Sequence, residues 1–215
     1  MLLNYSLDTK NVVSECPLHQ DPGHLVFEKT GVEVIALESK KSTTQHLPPY
    51  LALQATSNSA LSGFLEEGET ALSPVITFLL TTKLHRPLEV QIPHGANMVL
   101  SHNEWSIILK EVLNNKWVSV SQSGRGIKNF VPRSNHVRFE TDHLTKFVVV
   151  GKPHKHSFSA LKRMKVAAFC SDTSTGEDLI IRLYCFDDCE YSFEVYVNSQ
   201  YFVVCSTSKI PGFAV

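Results

Sequence analysis

The chain has 215 residues, 43% of them apolar and 19% charged, and a formal net charge of −1. That composition is ordinary for a globular protein and excludes a disordered chain. The near-zero charge gives no electrostatic reason to expect nucleic acid or an anionic membrane as partner. A chain of this length buries about 70% of the surface its unfolded form exposes, enough for one large β domain or one domain and part of another.

Residues 1 to 25 show no sustained hydrophobic period and carry Pro17, Asp21, Pro22 and Gly23, so they read as a loosely ordered leader. From Leu25 onward short β patterns dominate. Val32 and Val34 alternate after Gly31. Leu51, Leu53 and Ala55 follow Pro48-Pro49-Tyr50. Ser73-Pro74 opens a third run, and Leu88, Val90 and Ile92 alternate with Glu89 and Gln91 until Pro93. Residues 105–113 are ambiguous. Trp105, Ile108, Leu109, Val112 and Leu113 fit a helical face, whereas Ser106-Ile107-Ile108 suits a strand. Val137 and Phe139 alternate again. Phe147-Val-Val-Val-Gly151 is a continuous apolar run, as expected of a strand covered on both faces. Repeated short strands separated by glycine turns predict a β-sandwich or partly closed barrel, an all-β fold, over residues 26–152.

A basic stretch follows, with Lys152, Lys155, Lys162, Arg163 and Lys165 around Pro153, and residues 153–160 read as a linker. A second strand set occupies residues 161–197: Lys165 to Phe169, Leu179 to Phe186, then Phe193, Val195 and Val197 on one face. Residues 198–215 read as a divergent tail. The cysteines are Cys16, Cys170, Cys185, Cys189 and Cys205, an odd set. The start Met1-Leu-Leu-Asn-Tyr lacks the basic head and apolar core of a secretory leader, and no run reaches the ~18 apolar residues of a membrane helix. Free thiols in a reducing, cytoplasmic compartment are expected. Cys185-x3-Cys189 lacks a partner pair and nearby histidines, so neither a metal nor another cofactor is expected.

Several short motifs fall in order and at consistent spacing: Thr30-Gly31-Val32, Leu72-Ser73-Pro74-Val75, Arg86-Pro87-Leu88 with Ile92-Pro93-His94, Trp105, Leu109-Lys110, Trp117, and Phe147 to Gly151. Together they resemble the ZU-five domain of the cytoplasmic tails of uncoordinated-family netrin receptors. Leu161 to Phe169 and Ile181 to Asp188 resemble the opening of the UPA module that follows it there. The resemblance spans about residues 26 to 196. It implies a β-sandwich-like domain followed by a second, incomplete β domain, and a strand at Trp105 to Leu109. It also implies a non-enzymatic signalling module that packs against a death domain and restrains it. One departure is Ala36-Leu-Glu-Ser-Lys40, where the receptors carry a Pro-His-Gly-Ala-like turn. Another is that likeness fades after Tyr196, so that the second module and any death domain are expected to be incomplete or absent.

The chemistry worth weighing lies in His143-Leu144-Thr145, just before the Phe147 run. Some relatives with ZU-five and UPA domains cut themselves at a His-Phe-Ser: the p53-induced death-domain proteins and the inflammasome sensors with a function-to-find domain. Adhesion receptors use His-Leu-Thr. In such a cut the Thr145 hydroxyl attacks the carbonyl of Leu144, with His143 as acid or base. The plain alternative is a histidine and a β-preferring threonine at the start of a strand, and the netrin receptors themselves lack the histidine. His156-Ser157-Phe158-Ser159 repeats the signal inside the linker. His94 reads as a structural turn residue, Trp105 and Trp117 as core anchors, and Asp187-Asp188 as a solvated turn. Three expectations follow, none with a small-molecule substrate: a protein-binding regulatory module whose partners are a death domain or UPA partner in the parent protein, or signalling proteins; a module that cleaves itself between Leu144 and Thr145; and an ankyrin-like cytoskeletal adaptor that binds spectrin.

Overall fold

The computed structural model describes residues 12–15, 23–37, 51–56, 63–80, 84, 86–97, 104–123, 126–155, 160–170, 181–188 and 203–208. The described part is almost entirely β-sheet, with a single four-residue helical turn at Val120–Ser123. Two sheets face each other. The larger takes its order from the strands β1 (Val12–Glu15), β4 (Leu51–Thr56), β6 (Val75–Leu80), β12 (Lys146–Pro153), β8 (Trp105–Leu113) and β9 (Lys116–Ser119), with β5 (Thr70–Ala71) also paired to β12. The smaller runs β10 (Lys128–Pro132), β11 (His136–Thr141), β7 (Leu88–Pro93), β3 (Val32–Ala36) and β2 (His24–Phe27).

The two-residue period decides what faces inward. Leu51, Leu53 and Ala55 of β4, Val32 and Val34 of β3, Leu88, Val90 and Ile92 of β7, and Val137 and Phe139 of β11 are buried in one shared core between the sheets. The Phe147 to Val150 run is covered on both faces. Phe147 and Val149 enter the inter-sheet core, whereas Val148 and Val150 pack outward under Phe64, Ala71 and Val75, with Trp117 at the margin. Trp105 is a core anchor; Trp117 lies partly buried against the Phe64 ring, centroids 5.7 Å apart.

The ambiguous residues 105–113 form strand β8, and the helical face does not arise. Pairing with β12 over seven positions, from Trp105↔Pro153 to Glu111↔Phe147, supplies backbone partners that a helix would have to give up. Its turn into β9 is the two-residue Asn114-Asn115, at φ 51° and 62°. Two left-handed residues in a two-residue hairpin loop are a type I′ turn, a conformation asparagine tolerates.

Several short strands, β5 and β9 among them, lie outside the patterns read from sequence. Val12–Glu15, inside the stretch read as leader, pairs with β4. Lys128–Pro132 pairs with β11 across a bulge at Asn129, φ 51°. Val203–Ser208, inside the stretch read as tail, pairs with β13 (Met164–Cys170), which also pairs with β14 (Ile181–Asp187) to make a separate three-stranded sheet. Val12–Glu15 and Val203–Ser208 are held by partners far away in sequence and Lys128–Pro132 by the next strand, β11, and short runs without strong alternation left no trace to read. The Phe193 to Val197 strand, the Ala36 to Lys40 departure beyond Leu37, and the His156 to Ser159 tetrapeptide lie outside the described residues.

Candidate functional site

Residues 93–96 read Pro-His-Gly-Ala and form a socket at the end of β7. His94 is buried and bonded at both ring nitrogens. Its Nδ1 accepts from the Ala96 amide at 3.2 Å, so its Nε2 carries the proton and donates to the Arg133 carbonyl at 3.1 Å. The chain after the linker docks here. The Arg163 amide donates to the Gly95 carbonyl at 2.6 Å, the Asn97 amide to the Leu161 carbonyl at 2.8 Å, and the Arg163 guanidinium to the His94 carbonyl at 3.2 Å. Ala160 is buried against Gly151, and any side chain at position 151 would collide with the Ala160 Cβ. The basic stretch is largely spoken for: Lys162 pairs with Asp187, and Lys165 and Arg163 with Asp188. Asp187 and Asp188 therefore tie the second sheet to its own first strand, which corrects their reading as a solvated turn.

Burial pushes the His94 imidazole down from 6.5 to about 4, helped by the charge of Arg163. Its folded-state pKa lies below the unfolded value, so the unfolded chain takes up the proton first as pH falls. The stabilisation from neutral His94 is complete above pH 6.5 and is lost between pH 6.5 and 4, a total of roughly 3 kcal/mol. Urea midpoints recorded across that window test this. A His94→Gln variant is expected to show a flatter fall below pH 6.5, and an identical fall would remove His94 as the group responsible.

A second cluster gathers at the β11–β12 turn. His143, Leu144 and Thr145 occupy that turn, and the structure places them together at the start of β12. The Thr141 hydroxyl shapes the turn: it donates to the His143 carbonyl at 2.6 Å and accepts from the His143 amide at 3.2 Å. His143 Nε2 lies 2.7 Å from Glu111 Oε2 and Nδ1 lies 2.9 Å from Asp142 Oδ1. The bond to His143 holds the Asp142 carboxyl below its usual range. Glu111 is 0% exposed, and its Oε1 has no partner among the described residues. Leu144 packs against the main core. Thr145 donates to the Val112 carbonyl over a long 3.4 Å, and among the described residues no hydrogen bond joins its hydroxyl to the His143 ring.

Glu111 was not singled out from sequence, although a signal existed. Continuing the inward alternation Trp105, Ile107, Leu109 by two residues puts a carboxylate on the core face, where an uncompensated charge is costly. The same reading places Lys110 on the opposite face. There its ammonium donates to Glu69, Glu66 and the Phe64 carbonyl and binds the 63–69 strap over the outer cluster. Lys152 joins this network, and its bond lowers the Glu66 carboxyl.

No helix among the described residues is long and apolar enough to cross a membrane. Residues 18–112 match the ZU5 domain. Over 188 residues the chain is 27% identical to Netrin receptor UNC5D of Rattus norvegicus and 26% identical to that of Mus musculus. Each alignment covers 83% of this chain and 18% of the receptor, so the chain spans less than a fifth of those relatives. The ZU5 match takes in β2 to most of β8 and ends one residue after Glu111, whereas His143, Leu144 and Thr145 fall beyond it.

Proposed function

From a chain that matches the ZU5 domain and resembles a netrin receptor over most of its length, we propose an intracellular protein-interaction and signalling module of a netrin-receptor-like or death-domain-associated protein. The observation that carries this reading is the likeness to Netrin receptor UNC5D across 188 residues, which runs beyond the ZU5 match toward the second sheet. On this reading the second sheet is UPA-like, and the segment leading into its first strand is seated on the Pro93 to Ala96 socket. The parent acts at the cytoplasmic side of a membrane, and the module restrains a death domain by holding it against these β units. Binding measured by calorimetry with a recombinant netrin-receptor death domain, and separately with spectrin repeats, tests it. Binding to the death domain alone is expected. Binding to spectrin alone would favour the ankyrin-like adaptor, and binding to neither would overturn both partner assignments.

One observation favours self-cleavage as a second reading: a fully buried carboxylate, Glu111, whose bonded oxygen goes to the histidine of His143-Leu144-Thr145. A carboxylate bonded to one ring nitrogen of a histidine fixes the ring's orientation, as acid–base work requires. A cut before Thr145 divides the 24.1 kDa chain into 144 and 71 of its 215 residues, roughly 16 and 8 kDa. The pieces stay associated until denatured, because β8 and β12 pair across the cut. A denaturing gel of purified chain held for days at neutral pH separates the readings: two bands establish the cut, and one band removes it. Thr145→Ala is expected to leave one band and Thr145→Ser two.

A further inference from the structure

We propose that Glu111 is the positioning residue of the Leu144–Thr145 site: a buried carboxylate that grips His143 through Nε2 and leaves Nδ1 to carry the proton of the reaction. The inference rests on the self-cleavage reading and gives its histidine a fixed orientation.

Glu111 sits on the inward face of β8, directly across the strand pair from Phe147 of β12. Every apolar inward residue before it fills the core. A leucine there would avoid the desolvation that a carboxylate suffers, and replacing buried ion pairs by apolar side chains is often stabilising. Packing alone therefore does not explain a glutamate. What the carboxylate does contribute is a 2.7 Å bond to one nitrogen of His143, with no lysine or arginine partner for it among the described residues. The other nitrogen faces outward. Nδ1 meets Asp142 Oδ1 at 2.9 Å, on a side chain more than half exposed, and Thr141 Oγ1 at 3.4 Å. Gly126 lies against the Asp142 carboxylate, where a side chain would collide with it. One ring nitrogen is thus held by a buried carboxylate and the other by a carboxylate that is more than half exposed.

The chemistry uses this asymmetry. The Thr145 hydroxyl gives up its long bond to Val112 and attacks the Leu144 carbonyl carbon. A C–O bond forms, and the Leu144–Thr145 C–N bond breaks. As the C–O bond forms, His143 Nδ1 takes the proton released by the hydroxyl, and it then passes that proton to the departing nitrogen. The net change is an ester from Leu144 to the Thr145 oxygen and a free Thr145 amine. Water then splits the ester into the Leu144 carboxylic acid and the restored hydroxyl. A histidine gripped at Nε2 by a fixed anion presents Nδ1 in one orientation.

The test compares wild type, Glu111→Gln and Glu111→Asp for the rate of appearance of the two fragments from pH 5 to 9. The charged groups facing the histidine are Glu111 on β8 and Asp142 in the turn, with Lys128 of β10 acting on Asp142. Glu111→Gln is expected to slow cutting by tenfold or more and to displace the pH profile, with Glu111→Asp restoring part of the rate. Fragment formation in Glu111→Gln at the wild-type rate and with the wild-type profile would overturn the positioning role while leaving self-cleavage intact. Wild type that stays whole would overturn self-cleavage and this role together. Nitrogen-15 spectra of folded wild type give a readout independent of the variants' folding. A slowly exchanging His143 Nε2 proton is expected, and its absence would overturn the grip.

Discussion

Val90→Asp leaves no cooperatively folded sandwich. Val90 is fully buried in β7, the middle strand of the smaller sheet, with Val34 of β3 on one side and Phe139 of β11 on the other. Removing the valine forfeits about 1.5–3 kcal/mol of burial. An ionised carboxylate in its place has no cation within the apolar cluster, and an unpaired buried charge costs several kcal/mol more. The sum approaches or exceeds the 5–15 kcal/mol by which a domain is usually stable. Loss of the far-ultraviolet β signal and of a urea transition is the expected result, and a midpoint within experimental error of wild type would refute the core assignment. Val148→Asp makes a useful contrast. Val148 is equally buried but on the outer face, directly across from Lys110. An aspartate there meets a buried ammonium, so it is expected to cost less than the same change at Val90.

Lys110→Met carries the second large effect, through the charges it leaves behind. The Lys110 ammonium is nearly inaccessible and bonds to Glu69, whose side chain is 1% exposed. Without it Glu69 keeps the Glu66 amide at 2.8 Å and, as its one cation among the described residues, Lys152, 3.6 Å away and itself half-exposed. Breaking a buried pair by removing one partner costs about 3–5 kcal/mol, because the surviving charge stays desolvated. Removing both charges relieves most of that. Urea unfolding of wild type, Lys110→Met, Glu69→Gln and the double variant forms a cycle. The double variant is expected to be more stable than Lys110→Met alone. Strict additivity of the two losses would show that the pair is not coupled, and that the 63–69 strap is held by Phe64 packing instead.

The sequence by itself determined the class of this protein and most of its core. Val32 and Val34, Leu51, Leu53 and Ala55, Leu88, Val90 and Ile92, and Val137 and Phe139 alternate because a half-buried strand has a two-residue period, and each of these residues lies in the inter-sheet core. The unbroken Phe147 to Val150 run announced a strand covered on both faces, and both faces are covered. Motif order carried the ZU5 likeness where no single motif was distinctive. His143, Leu144 and Thr145 were visible as a tripeptide placed before that run. What lay across from any of these residues was not visible, since periodicity records which face is buried and not what buries it. Residues 105–113 looked part helical until β12 supplied their hydrogen-bond partners. Val12–Glu15 and Val203–Ser208 are strands only because β4 and β13 pair with them. Glu111 and His143 stand 32 residues apart in the chain, and the β8–β12 pairing brings them within 2.7 Å. Lys110 and Glu69, 41 residues apart, meet in the same way across the strap. The tertiary structure alone decided these pairings, because antiparallel register joins residues that share no local pattern, and only that register shows which buried charge has found its partner.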